Sequence, residues 1–146
     1  MAGIDKRLLK VFANLDYKVL PGEFVVVSLP CKDIKIFETN IADLGGDFFS
    51  LTYDNNELTL VMPMKKWQKN AAKFKTARMD SPFRIISIGE NMPIQMVGYL
   101  SIITGMMAKS RISVALISDY SKDHLIIKKE DLTEAKNILD NHVKRC

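Results

Sequence analysis

The sequence predicts an α+β protein built from two successive βαββα passes. Three observations carry this. Apolar residues switch between strand-like and helical spacing in the order strand, helix, strand, strand, helix, and the order then starts again. Two strand pairs are joined by Asx-containing turns, Asp54-Asn55-Asn56 and Asp119 to Asp123, where Asp and Asn side chains bond nearby backbone. An offset of 66 sets Thr52 on Ser118, Glu57 on Asp123 and Leu60-Val61 on Ile126-Ile127, so both halves carry an acid at the same point of the hairpin.

Taken in order, Lys6 to Asn14 places Leu8, Leu9 and Phe12 at helical spacing, and the Pro21-Gly22 turn precedes a Val- and Phe-rich strand from Glu23 to Leu29. Ile34, Ile36, Phe37 and Ile41 predict at most a weak helix before Gly45-Gly46. Asp47 to Tyr53 and Glu57 to Met62 form a hairpin, and Met64 to Ala72 is a second helix. Asp80-Ser81-Pro82 marks a boundary ahead of a strand from Phe83 to Ile88. Pro93 to Ala108 is helical, Ile112 to Ser118 and His124 to Lys128 are strands, and Asp131 to His142 is the last helix. Phe24 to Glu57 spans 33 positions and Phe83 to Asp123 spans 40, which predicts a first helix stunted by about two turns or replaced by loop. The halves are expected at 1–72, with the leading helix, and 73–146. Units of that size bury little core alone, so they are expected to fold together.

The helices read differently. Leu132, Ala135, Ile138 and Leu139 make one apolar face on the last, with acids before it and Lys144-Arg145 beyond it, as the helix dipole favours. Pro93 to Ala108 is apolar on nearly every side, with Gly98, Ser101 and Gly105 as a stripe of small residues. It is expected to be wedged between sheet and helix, with Gly98 near its start open to a carboxylate.

The 146 residues carry 21 Lys plus Arg against 17 Asp plus Glu, a net charge of +4. The excess is local, in Lys65, Lys66, Lys69, Lys73, Lys75 and Arg78, a stretch without acids that includes Trp67 and Phe74. Such a stretch serves a solvated helix face or, with base-stacking aromatics, a single-stranded nucleic acid. No RNA- or DNA-binding signature accompanies it. The charged N-terminal residues do not read as a secretory signal, and no run reaches the ~20 apolar residues of a membrane span, so a cytoplasmic protein is expected. Cys31 and Cys146 suit free thiols in a reducing compartment. His124 and His142, with those two cysteines, lack zinc spacing, and His124 is read as a partly exposed strand residue. No phosphate-binding loop, GxSxG or Cys/His nucleophile pattern is present, so neither enzyme nor cofactor is predicted. Met62, Met64, Met92, Met96, Met106 and Met107 are assigned mainly to core filling.

Three segments carry a family resemblance: Glu57 to Pro63 (ELTLVMP), Pro93 to Leu100 (PIQMVGYL) and Ile112 to Ile127 (ISVALISDYSKDHLII). The chain resembles small tandem ACT-domain proteins of the aspartokinase-regulatory type, related to the ACT domains of cytosolic arginine sensors. The resemblance implies ferredoxin-like halves packed side by side and an amino-acid effector bound where they meet, without catalysis. It places Ile94, Gln95, Met96, Val97 and Gly98 at the strand-to-helix turn, Thr59 and Leu60 opposite, and Ser118, Asp119 and Asp123 after the next strand. Asp119 stands where the family usually has Thr, and Met96 and Val97 replace commoner residues. An effector's ammonium suits Asp119 or Asp123, while Asp in a loop equally serves turn formation. The expected function is a regulatory module, as a homodimer or with a regulated protein partner. The alternatives are a nucleic-acid-binding ferredoxin-like protein using Lys65 to Arg78, or a structural subunit with a degenerate ligand site.

Overall fold

The computed structural model describes residues 15–89 and 97–143, with the side chains of the last two left aside. These residues form strands β1 (Tyr17–Val19), β2 (Phe24–Pro30), β3 (Ser50–Tyr53), β4 (Glu57–Pro63), β5 (Arg78–Ile88), β6 (Val114–Ser118) and β7 (Asp123–Lys128). The helices are α1 (Ile34–Leu44), α2 (Met64–Asn70), α3 (Tyr99–Lys109) and α4 (Leu132–Val143). The helix expected over Lys6 to Asn14 lies outside the described residues. The α+β class and the βαββα order are both observed. The chain divides into two compact units, residues 20–84 and residues 1–19 with 85–146, so the first is inserted between β1 and the rest of the second.

In the inserted unit the strand order is β3-β4-β2-β5, with antiparallel pairing throughout. Period-two alternation turns Val25, Val27 and Leu29 of β2 and Leu58, Leu60 and Met62 of β4 to one face. There they meet Phe37 and Leu44 of α1 and Trp67 of α2. Phe74 stacks between two aromatic neighbours, 5.4 Å from Phe37 and 5.4 Å from Trp67, ring centre to ring centre. Both aromatics of the basic stretch are therefore core residues, which removes them as base-stacking platforms. Two of its lysines bond α1 and its neighbourhood: Lys66 Nζ donates to Asp43 O at 3.2 Å and Lys73 Nζ to Asn40 Oδ1 at 3.2 Å.

Two sequence expectations are corrected here. The first helix is not stunted, because α1 has 11 residues, as many as α3. The missing length lies in the strand-to-helix connection, three residues (31–33) between β2 and α1 against ten (89–98) between β5 and α3. Periodicity locates helices and strands but carries no signal for loop length. The boundary at Asp80-Ser81-Pro82 is also displaced, because β5 begins at Arg78 and runs through it. Phe24 pairs with Phe83 but Val26 with Asp80, so β5 has one extra residue at this point, a bulge that admits a proline without loss of a ladder bond.

In the terminal unit β1 pairs with the end of β5, Tyr17 opposite Ile88, and β5 neighbours β7, which pairs antiparallel with β6. Ile86, Ile88, Leu125 and Ile127 face Tyr99, Ile103 and Met107 of α3 and Ala135 and Leu139 of α4. The apolar face read on the last helix is the one that packs, with Leu132 and Ile138 at its margin. Tyr17 Oη donates to Asp140 Oδ1 at 2.6 Å, and burial together with that carboxylate pushes the phenol up to about 12. α3 begins at Tyr99 rather than Pro93, and residues 90–96 lie outside the described set. Gly98 precedes it at φ +89°, a left-handed conformation that glycine adopts without strain. The helix is buried on one face only. Ser101 is exposed, and among the described residues a Cβ on Gly105 would meet nothing within 4 Å, so the small residues seat no neighbouring backbone of the described set. Met62 and Met107 fill the two cores, as expected.

Trp67 stacks on Phe74 and closes one side of the inserted unit's core. Trp67→Ala is expected to destabilise that unit by about 3–5 kcal/mol, read as an early unfolding transition in urea with loss of near-UV circular dichroism.

Candidate functional site

The two hairpin turns have the same construction. Asp54 Oδ1 accepts from the amides of Asn56 at 2.7 Å and Glu57 at 3.1 Å, and Asp54 N donates to Glu57 O. Asp119 Oδ1 accepts from the amides of Ser121 and Lys122, both at 2.9 Å, and Asp119 N donates to Lys122 O. The offset between these turns is 65, and the same offset carries α1 onto α3 end for end. The register of 66 read from the sequence is one residue out, and in a strand one residue exchanges the faces. The shared acid is therefore Asp54/Asp119, at the turn, rather than Glu57/Asp123.

This correction isolates Asp123. Its counterpart in the inserted unit is Leu58, fully buried among apolar side chains. The positions matching Ile34 and Tyr53 are Tyr99, the first residue of α3, and Ser118, the last of β6. Tyr99 Oη donates to Asp123 Oδ2 and Ser118 Oγ to Asp123 Oδ1. Where one unit has Ile34, an exposed Tyr53 and a buried Leu58, the other thus has a buried carboxylate bonded by two hydroxyls, one of them on the first residue of a helix. Burial holds the Asp123 carboxyl above the ordinary value of 3.8, against a smaller opposing influence of His124.

On the next residue the side chain points the other way. His124 is buried, 4% exposed, rather than partly exposed as the sequence suggested. Its Nδ1 lies 2.7 Å from Ser87 Oγ and its Nε2 3.0 Å from Asp119 Oδ2. With the proton on Nε2, a neutral ring donates to Asp119 and accepts from Ser87, so both nitrogens are satisfied. Partial burial raises the Asp119 carboxyl, but the His124 bond and the two turn amides outweigh it and hold the group below 3.8.

Of the residues singled out by sequence, Ser118 and Asp123 come together, with Gly98 immediately before Tyr99, while Asp119 bonds His124 instead. Val97 is 85% exposed. Ile94, Gln95 and Met96 lie outside the described residues. Thr59 and Leu60 belong to the inserted unit, where Thr59 is half-buried and donates to Glu57 Oε1 at 3.4 Å and Leu60 is core. Tyr99, Ser87 and His124 are the residues that sequence reading missed. A correct register would have flagged Tyr99 as the partner of an apolar position. Among the described residues no cluster of His, Cys, Asp or Glu is placed to hold a metal ion, and no helix is long and apolar enough to cross a membrane.

Residues 78–141, which include every member of this cluster, match the family model of the ACT domain. This stretch is similar to an ACT domain. Solved structures extend the likeness to both units. A Vibrio cholerae protein of unknown function matches with a TM-score of 0.76 over 94% of this chain and 97% of its own, at 19% identity. An Agrobacterium tumefaciens protein matches with a TM-score of 0.71 over 88% and 89%, at 20% identity. The ligand-free regulatory subunit of aspartate kinase from Thermus thermophilus matches with a TM-score of 0.65 over 87% and 97%, at 10% identity. At these identities the likeness is one of fold, a ferredoxin-like α+β arrangement. No curated protein matches the sequence.

Two outcomes follow for this ACT-like stretch. Gly98→Ala places a Cβ on a left-handed residue and is expected to cost about 1–2 kcal/mol in thermal denaturation. The two carboxylates should have opposite pH signatures. Asp123, raised when folded, contributes most below about pH 3.8, and its contribution falls as pH rises through the folded value. Asp119, lowered when folded, contributes above about pH 3.8 and is lost as pH falls through its folded value. Parent stability minus that of Asp123→Asn should therefore decrease with rising pH, and parent minus Asp119→Asn should increase, in parallel urea titrations.

Proposed function

We propose that this chain is a non-enzymatic regulatory module that binds a small amino-acid effector in its terminal unit. Asp123, Tyr99 and Ser118 receive the ammonium group, and the amides that open α3 after Gly98 receive the carboxylate. The observation that carries this reading is the exchange of Ile34, Tyr53 and Leu58 for Tyr99, Ser118 and Asp123. A buried carboxylate costs free energy that a core leucine does not, and its retention at the start of a helix suits a ligand with a cationic group. The first four amides of a helix lack intrahelical partners and favour anions. The wider reading includes Ile94, Gln95, Met96 and Val97 as further contacts and a regulated protein partner as the recipient of the signal. A regulatory subunit of aspartate kinase among the structures of this fold supports the regulatory role.

The test is a thermal-shift screen of the full chain against the twenty amino acids. A ligand that binds only the native state adds about 2.7 kcal/mol at a hundredfold excess over Kd. The expected result is a selective rise with one amino acid that Asp123→Asn removes while the variant stays folded. Silence across the panel in the parent would replace this reading with a structural subunit whose ligand site is dead.

A further inference from the structure

A second feature of the terminal unit is independent of that reading. Period-two alternation gives its sheet two faces. On one of them Ile86 and Ile88 of β5 and Leu125 and Ile127 of β7 meet α3 and α4. Ile85 and Ser87 of β5 and His124 and Ile126 of β7 point to the other. Ile85 is 0% and Ile126 2% exposed, and Ser87 and His124 are buried as well. Neither isoleucine belongs to a helix-backed core. Among the described residues the helices of this unit are α3 and α4, and both pack on the first face. Burial of the second face therefore calls for another cover.

Such a cover needs an apolar surface that reaches β5 and β7 but stops short of β6, because Ala115, opposite Ile126 on the same face, is exposed. Residues 1–14 belong to this unit. They lead directly into β1, where Lys18 stands opposite Ser87. Leu8, Leu9 and Phe12 repeat at helical spacing and Ile4 falls four positions before Leu8, with Asp5, Lys6, Arg7 and Lys10 interspersed. A helix from Lys6 to Asn14 is about 13 Å long. That length crosses β1, β5 and β7 at a strand spacing of about 4.8 Å.

We propose that residues 1–14 dock in cis on the second face of the terminal unit's sheet, laying Leu8, Leu9 and Phe12 over Ile85, Ile126 and the His124–Ser87 pair. The first face already has its two helices, so this face is the one left for an amphipathic segment. Without a cover it would present a contiguous apolar patch to water. With one, the imidazole is kept dry and its bonds to Ser87 and Asp119 are sheltered from competing solvent.

The test uses the full chain with the His124 imidazole as reporter. In the parent the ring should resist acylation by diethyl pyrocarbonate, read by mass spectrometry, to an extent independent of protein concentration. Leu8→Asp together with Phe12→Asp should abolish that protection while the amides of α3 and α4 stay protected from hydrogen exchange. Lys10→Gln should keep it. A nitroxide on Lys10→Cys, in a chain with Cys31→Ser and Cys146→Ser, should broaden the His124 ring protons and spare the Leu139 methyls on the other face. This second measurement decides the matter even where the double variant fails to fold. Protection that survives the double variant overturns the proposal, as does a label that broadens Leu139 and spares His124. Protection that falls on dilution overturns it in favour of a second copy on this face. None of these outcomes depends on an effector, so failure here leaves the ligand reading untouched.

Discussion

A β-strand changes face at every residue, and that constraint governs what each side chain of this chain can do. It sends Val25, Val27 and Leu29 to one core and Ile86 and Ile88 to the other. It also separates Asp123 from His124, neighbours in sequence that lie on opposite faces. One of them joins Tyr99 below α3 and the other joins Ser87 and Asp119. The same rule gives meaning to the comparison between units, because positions correspond only when they share a face. With the turns aligned at Asp54 and Asp119, a core leucine corresponds to a buried carboxylate.

Asp119 and Asp123 show how four positions of chain separate two electrostatic roles. Asp119 is turn chemistry. Its Oδ1 is engaged by two backbone amides and its Oδ2 by an imidazole, so its charge is held by donors on both oxygens. Asp123 is bonded by two hydroxyls, and burial outweighs the opposing influence of His124 and raises its carboxyl. The first is a satisfied structural anion of the kind found at Asp54. The second has no structural equivalent in the inserted unit.

The class, the element order and most strand and helix positions could be read from the sequence, because apolar spacing and Asx turns are local signals. α4's packing face and the β3–β4 hairpin are examples. What could not be read depends on distances along or across the chain. The seven residues that distinguish the passes lie in a connection, where periodicity is silent, and were placed in a helix that is in fact full length. The bulge that lets Pro82 sit inside β5 is set by β2, more than fifty positions earlier. Within the site, Asp119 and Asp123 were visible as acids after a strand. Tyr99 and Ser87 were not, because their roles come from tertiary contact. A register that matches acid to acid and Leu-Val to Ile-Ile is one residue out because residue type alone does not say which face of a strand a position occupies.

The raised carboxyl of Asp123 gives the proposed site a physical logic beyond complementarity. A carboxyl raised by burial is poorly compensated when it is ionised. An ammonium set beside it supplies the opposite charge that the hydroxyls of Tyr99 and Ser118 cannot. An ammonium at that place lowers the raised carboxyl, so ligand affinity and protonation are linked at one residue. Below the raised value part of the binding free energy is spent on removing a proton. Above it none is, and affinity for a cationic group levels off. A leucine at this position, as in the inserted unit, packs as well and offers no such coupling. The carboxylate makes physical sense where something other than the core is to be recognised.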